Sequence, residues 1–223
     1  GVTMTNETVK CNFDRGRRFD VDVMDDLETA GLAFGRLSAQ FIRDKVVPEL
    51  DAFRFASYCG ISGVTKKEET LADGAATVAA LSTAVTAMDD EEVTATGRYL
   101  FITPTLLQGI NDMDTTKSKK VLEGFEQVIK VPQRRFYTAI KQLSGKTGEE
   151  AGGYTKATGA ANINFAIVQK DALIQYTKHA APKIIAPENN PDADAYVFGY
   201  RMVGIAKAYK NMLSGMYFSH DKA

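Results

Sequence analysis

Two short runs of alternating apolar and polar residues open the chain, at 9–13 and 19–23. Period-two alternation is typical of strands with one buried face. Gly16 lies between the runs in "DRGRR" and would supply a positive-φ turn. Residues 7–24 are therefore predicted to form a β-hairpin. Because an isolated two-stranded ribbon is marginal in water, we expect this hairpin to lie against another surface.

A long helix is predicted next. Asp25 or Asp26 can cap its start, and Glu28 can reach back to form a capping box. Apolar residues then recur at helical spacing as far as Cys59. Gly60 is a plausible end. A helix of about 33 residues would be on the order of 50 Å long. Pro48 lies inside it and predicts a kink, because proline removes one backbone hydrogen bond.

The middle of the chain alternates between helical and strand patterns, which predicts an α/β unit inserted between the long helix and the last strands. Its predicted elements are an Ala-rich helix over about 70–88, a buried strand in "GRYLFIT", a helix opened by Pro104, strands in "VLEGFEQVIKVP" and "RRFYTAI", a Gly-rich loop after Leu143, and a buried strand in "NINFAIV". A closing strand ladder runs from about 183 to 218. The predicted fold class is α+β.

Composition excludes several classes of protein. The 27 basic and 28 acidic side chains give a net charge of −1, without the basic surplus typical of nucleic-acid binders. No apolar run approaches the roughly 18 residues of a membrane span. The first residues, "GVTMTNETVK", do not resemble a signal peptide and lack an initiator Met, so we expect an upstream segment to be missing. The two cysteines, Cys11 and Cys59, predict inert thiols in a reducing compartment.

Candidate chemistry is sparse. His179 and His220 have no partner residues at zinc-site spacing. "SGKTG" lacks the Walker glycine, because Ile140 occupies its position. The loop "PENNPDADAY" alternates Asp192 and Asp194 but lacks the central Gly of a calcium loop, so turn formation is the favoured interpretation and an ion site the alternative. The sequence predicts no catalytic residues, no cofactor, no metal site and no enzyme.

The order of these pieces resembles a known family. The stretches that carry the resemblance are "DRGRRFDVDVMDDLETA", "FIRDKVVPELDAFRF", "PQRRFYTAI", "INFAIVQKDALIQYTKH" and "NPDADAYVFGYR". Together they resemble the major capsid proteins of tailed bacteriophages with the Hong Kong 97 type of fold. The resemblance covers nearly the whole chain and consists of ordered stretches rather than one strict signature.

The resemblance implies a domain organisation. Residues 1–24 would be the E-loop hairpin that reaches over an adjacent subunit, with the family's N-terminal arm absent. Residues 25–69 and 166–223 would form the peripheral domain, whose spine helix runs from about Asp26 to Cys59. Residues 70–165 would form the axial domain, which gathers around the five-fold and six-fold axes.

The resemblance also implies a structural role. Copies of the chain would form pentamers and hexamers of an icosahedral shell that packages double-stranded DNA, contacted non-specifically, in the virion of a phage or prophage. Further expected partners are a scaffolding segment or protein and a portal. Assembly is expected in the cytoplasm of the bacterial host, without a membrane partner. Each ring contact would be heterologous.

A hypothesis about the subunit interface follows from the arginines of the predicted hairpin. A ribbon that cannot bury its own faces gains stability by lying across a neighbour, and arginine pairs well with carboxylates. We expect Arg15, Arg17 and Arg18 to contact acidic groups of the next subunit. The candidate acidic partners are Glu49, Asp51, Asp192 and Asp194.

Two alternatives remain open from the sequence. The first keeps the fold and changes the role, to an encapsulin-like shell that encloses enzyme cargo inside a cell. The second is a monomeric enzyme or ligand-binding domain built on the central α/β unit, and the absence of a catalytic cluster weighs against it.

Overall fold

The computed structural model describes residues 8–24 and 32–222. The chain divides into two compact units. The first unit combines the described residues up to Arg43 with Gln175–Ala206, and the second combines Asp44–Ile174 with the described residues from Lys207 onward.

The elements follow in chain order as β1 (Phe13–Asp22), α1 (Leu32–Phe41), a π-helical segment (Ile42–Val46), α2 (Val47–Cys59), β2 (Thr65–Glu68), α3 (Gly74–Asp90), β3 (Arg98–Ile102), α4 (Pro104–Met113), α5 (Thr116–Glu123), β4 (Gln127–Lys130), β5 (Ile140–Gln142), β6 (Tyr154–Lys156), β7 (Ile163–Gln169), β8 (Leu173–Ile185), β9 (Ala195–Ala208) and β10 (Met216–His220). The mixture of helices and strands confirms the α+β fold class.

The first unit is built on a three-stranded sheet of order β1-β9-β8. Strand β1 pairs antiparallel with β9 over its whole length, from Phe13 opposite Gly204 to Asp22 opposite Ala195. Aromatic rings cover one face of this pair. The ring centroid of Phe19 lies 5.5 Å from that of Phe41 at the end of α1 and 4.9 Å from that of Phe198 on β9.

The predicted N-terminal hairpin is wrong in the described residues. Strand β1 runs without a turn through Gly16, which pairs with Arg201 and is absent from the positive-φ glycines. The alternation of residues 19–23 did identify strand structure. The strand that pairs with these residues, however, lies about 180 residues later in the chain. The pattern of neighbouring residues carries no signal for so distant a partner.

The predicted long helix is present as two α-helices with a π-helical segment between them. Helix α2 begins at Val47 and holds Pro48 in its first turn, where a missing N–H is tolerated. Pro48 was predicted to kink the helix. The helix is instead irregular just before the proline, in the π-helical residues Ile42–Val46. Helix α2 ends at Cys59, and Gly60 donates its N–H to the Ala56 carbonyl at 2.9 Å, which confirms the predicted end. The predicted capping residues near Asp26 lie outside the described residues.

The second unit is built on a five-stranded sheet of order β2-β10-β7-β3-β4. Strand β7 is central and antiparallel to both of its neighbours, and all seven of its residues are buried. The outer pairs, β3 with β4 and β10 with β2, are parallel. Residues of α3, α4, β3, β7 and β10 share one apolar core, which includes Leu81, Ile110, Leu100, Ile167 and Tyr217.

Several predicted elements of this unit are confirmed and others need correction. The strands in "GRYLFIT" and "NINFAIV" are β3 and β7, and the predicted Ala-rich helix and the Pro104 helix are α3 and α4. The segment "VLEGFEQVIKVP" is not one strand, because its first part completes α5 and only Gln127–Lys130 is extended. In "RRFYTAI" a short 3-10 turn leads to β5, which begins at Ile140.

Candidate subunit interface

The arginines of β1 lie on both faces of the strand. Arg15 and Arg17 alternate with the buried Phe13 and Val21 and so share their face, whereas Arg18 lies on the opposite face. Arg17 and Arg18 are exposed. The strand therefore presents cationic groups on two sides instead of at the tip of a hairpin.

Arg18 contacts two carboxylates of its own chain. Its Nε lies 3.3 Å from Oδ1 of Asp20, and its Nη2 lies 3.6 Å from Oδ2 of Asp192. The side chains of Arg18 and Asp192 are 53% and 72% exposed. Exposed pairs of this kind contribute about 0–1 kcal/mol. The contact with Asp192 can therefore be exchanged for an outside partner at little cost in free energy.

A stronger pair joins β1 to β9, and sequence reasoning missed it. Arg201 donates from Nε and Nη2 to the two carboxylate oxygens of Asp14, at 2.9 and 2.6 Å. This bidentate hydrogen bond lowers the pKa of Asp14 and raises the pKa of Arg201. Such fork-to-fork geometry is typical of strong charge-assisted pairs. The pair is a diagonal contact across the two strands, since Asp14 lies opposite Val203 and Arg201 opposite Gly16.

Asn12 extends the same ladder beyond β1. Its side-chain amide donates to the Ala206 carbonyl and accepts from the Ala206 N–H, both at 2.9 Å. The side chain thus substitutes for a strand residue at the end of the pair. No sequence pattern pointed to Asn12 or Arg201, because each acts through a partner about 190 residues away.

Two of the other candidate acids have side-chain partners within the chain. Oδ2 of Asp51 lies 3.1 Å from Nη1 of Arg135, and Oε1 of Glu49 accepts from the Gln142 side chain at 3.3 Å. Both acids belong to the second unit, whereas the three arginines belong to the first. Asp194 accepts through its backbone carbonyl, from the Val23 N–H at 3.2 Å. Of the predicted set, the structure shows Arg18 and Asp192 in contact.

The loop between β8 and β9 forms a turn that is closed by its own side chains. A 3-10 turn covers Pro187–Asn189. Asn190 then accepts from the Asp192 N–H at 3.2 Å and donates to the Ala195 carbonyl at 3.0 Å. Asn side chains commonly close turns by such bonds, which confirms turn formation as the role of these residues.

Within the described residues, no group of three or more His, Cys, Asp or Glu side chains is placed to hold a metal ion. Cys11 is exposed and Cys59 is buried, and neither is in a disulfide. Burial raises the pKa of the Cys59 thiol to about 11, so that thiol is protonated at neutral pH. No helix in the described part of the chain is long and apolar enough to cross a bilayer.

Comparison of the fold with solved structures gives consistent matches. The capsid structure of the cyanophage P-SCSP1u matches with a TM-score of 0.56 and 15% identity, over 99% of this chain and 78% of that chain. The protein has the fold of phage capsid proteins. A chain of Mycobacterium phage Che8 matches at TM-score 0.59 and 11% identity, over 97% of this chain and 76% of that chain.

A virus-like particle from Pyrococcus furiosus also matches, at TM-score 0.61 and 9% identity, over 92% of this chain and 75% of that chain. At these identities the likeness concerns the fold. No family model matches the sequence, and no curated protein matches it.

Proposed function

We propose that the protein is the major capsid protein of a tailed phage or prophage. Its copies assemble into pentamers and hexamers, and these close into an icosahedral shell around double-stranded DNA. The observation that supports this proposal best is the fold match with the capsid of cyanophage P-SCSP1u over 99% of the chain. A shell role also agrees with the low net charge of −1, which limits repulsion between densely packed copies.

The domain assignment belongs to the same proposal. The resemblance implies a peripheral domain of residues 25–69 and 166–223 and an axial domain of residues 70–165. Because β2 and β10 pair in one sheet with β3, β4 and β7, we extend the axial part to Asp44–Ile174 and the residues from Lys207 onward. Strands β1, β8 and β9 with α1 then form the peripheral part, and β1 takes the place of an E-loop hairpin.

The arginines of β1 remain our candidates for a contact with the next subunit. Arg17 and Arg18 are exposed, and the ion pair of Arg18 with Asp192 is weak enough to be exchanged. Replacing Arg15, Arg17 and Arg18 together with Ala should prevent normal shell formation. Normal shells from this triple variant would contradict the arginine contact and leave the capsid function intact.

Negative-stain electron microscopy of the purified protein tests the function itself. We expect closed shells or rings of five and six subunits at high protein concentration, and nuclease-resistant DNA in particles from infected or induced cells. A protein that stays monomeric under all assembly conditions would contradict the proposal.

A cellular compartment shell is the second candidate. The fold match at TM-score 0.61 with the virus-like particle from Pyrococcus furiosus favours it, because the same fold can enclose other contents. Mass spectrometry and nucleic-acid staining of particles from the native source separate the two. DNA inside supports the phage capsid, whereas a single enriched enzyme supports an encapsulin-like compartment.

A further inference from the structure

Strand β8 is exposed on both faces. From Gln175 to Ile184 every residue except Ala181 is exposed, and Ala181 is half-buried. The exposed set includes two large apolar side chains on the same face, with Tyr176 61% and Ile184 57% accessible. A strand usually buries one face against a core. The neighbour of β8 in the sheet is β9.

The other strands of the same sheet differ. Strand β1 buries Phe13 and Val21, and the central β9 buries Val197 and Phe198. Strand β8 also ends the sheet order β1-β9-β8, so its second edge has no partner strand in the described chain. A long edge strand with exposed apolar groups is a template for pairing with another chain. Strand β8 therefore presents an unpaired strand edge within the described chain.

The chemistry of the β8 edge is cationic. It carries Lys178 and Lys183, and no acidic residue occurs from Ala172 to Pro187. Within the described residues neither lysine is in an ion pair with a carboxylate. A partner that presents acidic groups is attracted to this edge, whereas a cationic partner is repelled.

The chain itself offers such a surface at the end of α3. Four consecutive acids, Asp89 to Glu92, are all exposed there. Negative charge at a helix C-terminus is unfavourable because the macrodipole is negative at that end. Arg98 compensates Asp89 at 2.7 Å. In the described structure the carboxylates of Asp90, Glu91 and Glu92 have no such cation.

We propose that β8 is a docking edge for a second copy of this chain, which binds through its acidic 89–92 turn. The proposal rests on the proposed shell function and deepens it by naming the two surfaces of one contact. Because the two surfaces are different, the contact is heterologous and can propagate around a ring. Tyr176 and Ile184 contribute apolar area on one face of β8, and Lys178 shares that face. Lys183 lies on the opposite face, so the two lysines flank the edge and favour an acidic partner.

The test compares two double charge reversals of equal net charge. Lys178→Glu with Lys183→Glu should raise the protein concentration needed for assembly by about tenfold or more, measured by light scattering and sedimentation velocity. The matched control is Lys117→Glu with Lys120→Glu, which reverses two exposed lysines of α5. The control should assemble like the wild type. Circular dichroism melting checks that both variants fold.

A charge swap completes the test. Adding Asp90→Lys and Glu91→Lys to the β8 double variant should restore assembly, because the attraction is re-formed with the signs exchanged. Failure of this restoration overturns the proposal, and so does equal impairment of the β8 variant and its control. If the β8 variant assembles like the wild type, the proposal fails while the shell function stands. If the wild type never assembles, both fail.

Discussion

Two glycines bring α3 and α4 into backbone contact. A Cβ added to Gly74 would lie 2.2 Å from the Gly109 carbonyl oxygen and 2.6 Å from its carbonyl carbon. Backbone atoms cannot move aside locally, so Gly74→Ala must separate the helices. We expect a loss of about 1–3 kcal/mol in the free energy of unfolding, measured by chemical denaturation.

The control for this prediction is the glycine across the contact. A Cβ added to Gly109 would lie 3.4 Å from the Gly74 nitrogen, and alanine favours a helix interior by up to about 1 kcal/mol. Gly109→Ala should therefore change stability by less than about 1 kcal/mol. Equal losses in the two variants would contradict a steric origin.

Arg98 is a buried cation whose bonds hold the segment after α3. Its side chain is 3% exposed and pairs with Asp89 at 2.7 Å. It also donates to the carbonyls of Val93 and Thr94, the latter at 3.2 Å. Arg98→Met should cost about 2–4 kcal/mol in the free energy of unfolding, because the carbonyls of Val93 and Thr94 lose their donor.

Asp89→Asn tests the same contact from its exposed side. The Asp89 side chain is 56% exposed, and Asn keeps an oxygen that can accept from the buried guanidinium, so this variant should lose less stability in urea denaturation than Arg98→Met. A loss as large as that of Arg98→Met would show that the ion pair, and not the carbonyl bonds, holds the segment.

At the scale of elements, the β5–β6 hairpin has a tip held by a carboxylate. Glu149 accepts from Lys141 Nζ at 2.6 Å and from the Ser144 N–H at 2.7 Å. The lysine bond first, and the Ser144 bonds after it, lower the pKa of Glu149 from 4.5 to about 2. A carboxyl with a lowered pKa stabilises the folded form above its ordinary pKa. That stabilisation is lost as the pH falls from about 4.5 to 2.

The tip should therefore loosen in acid before the rest of the molecule. We expect a Glu149 titration midpoint near 2 by NMR, and faster exchange of the Ser144 amide as Glu149 becomes protonated. Lys141→Met should move the midpoint up toward the ordinary value. A midpoint that stays unchanged in Lys141→Met would show that the lysine is not the cause.

Elements of this fold differ in how far the sequence predicts them. Strands β3 and β7 were predictable because each is a short apolar run with turn residues beside it. Only the last three residues of helix α5 were included in a predicted strand, and its start was not predicted. Its reciprocal cap joins Thr115 to Ser118, whereas the usual sequence signature has Glu or Gln at the second position. The pairing of β1 with β9 was not predictable, since local alternation identifies a strand but not its partner.

The same limit applied to the candidate interface. The arginines of β1 could be selected from composition, but the bond of Asp14 with Arg201 depends on a register that spans nearly the whole chain. The acids Glu49 and Asp51 were proposed for a neighbour, and the structure pairs them with Gln142 and Arg135. Nothing in a single sequence distinguishes an acid bonded within the chain from one that faces outward.

At the scale of the whole molecule, strands β7 and β8 should respond oppositely to assembly. All seven residues of β7 are buried in a central position, so its amides exchange only by global unfolding in every state. Strand β8 has one partner strand and two exposed faces. Its amides should exchange quickly in the monomer and at least about tenfold more slowly in assembled particles, if a neighbour covers it.

Hydrogen–deuterium exchange with mass spectrometry measures both strands in one sample, which makes β7 an internal standard for unfolding. Protection that rises in β8 and in the 89–92 turn, with β7 constant, is the result expected if assembly covers both surfaces. Protection that rises uniformly would indicate global stabilisation instead. Protection confined to β1 would place the neighbour on the arginine strand and leave the β8 edge open in the particle.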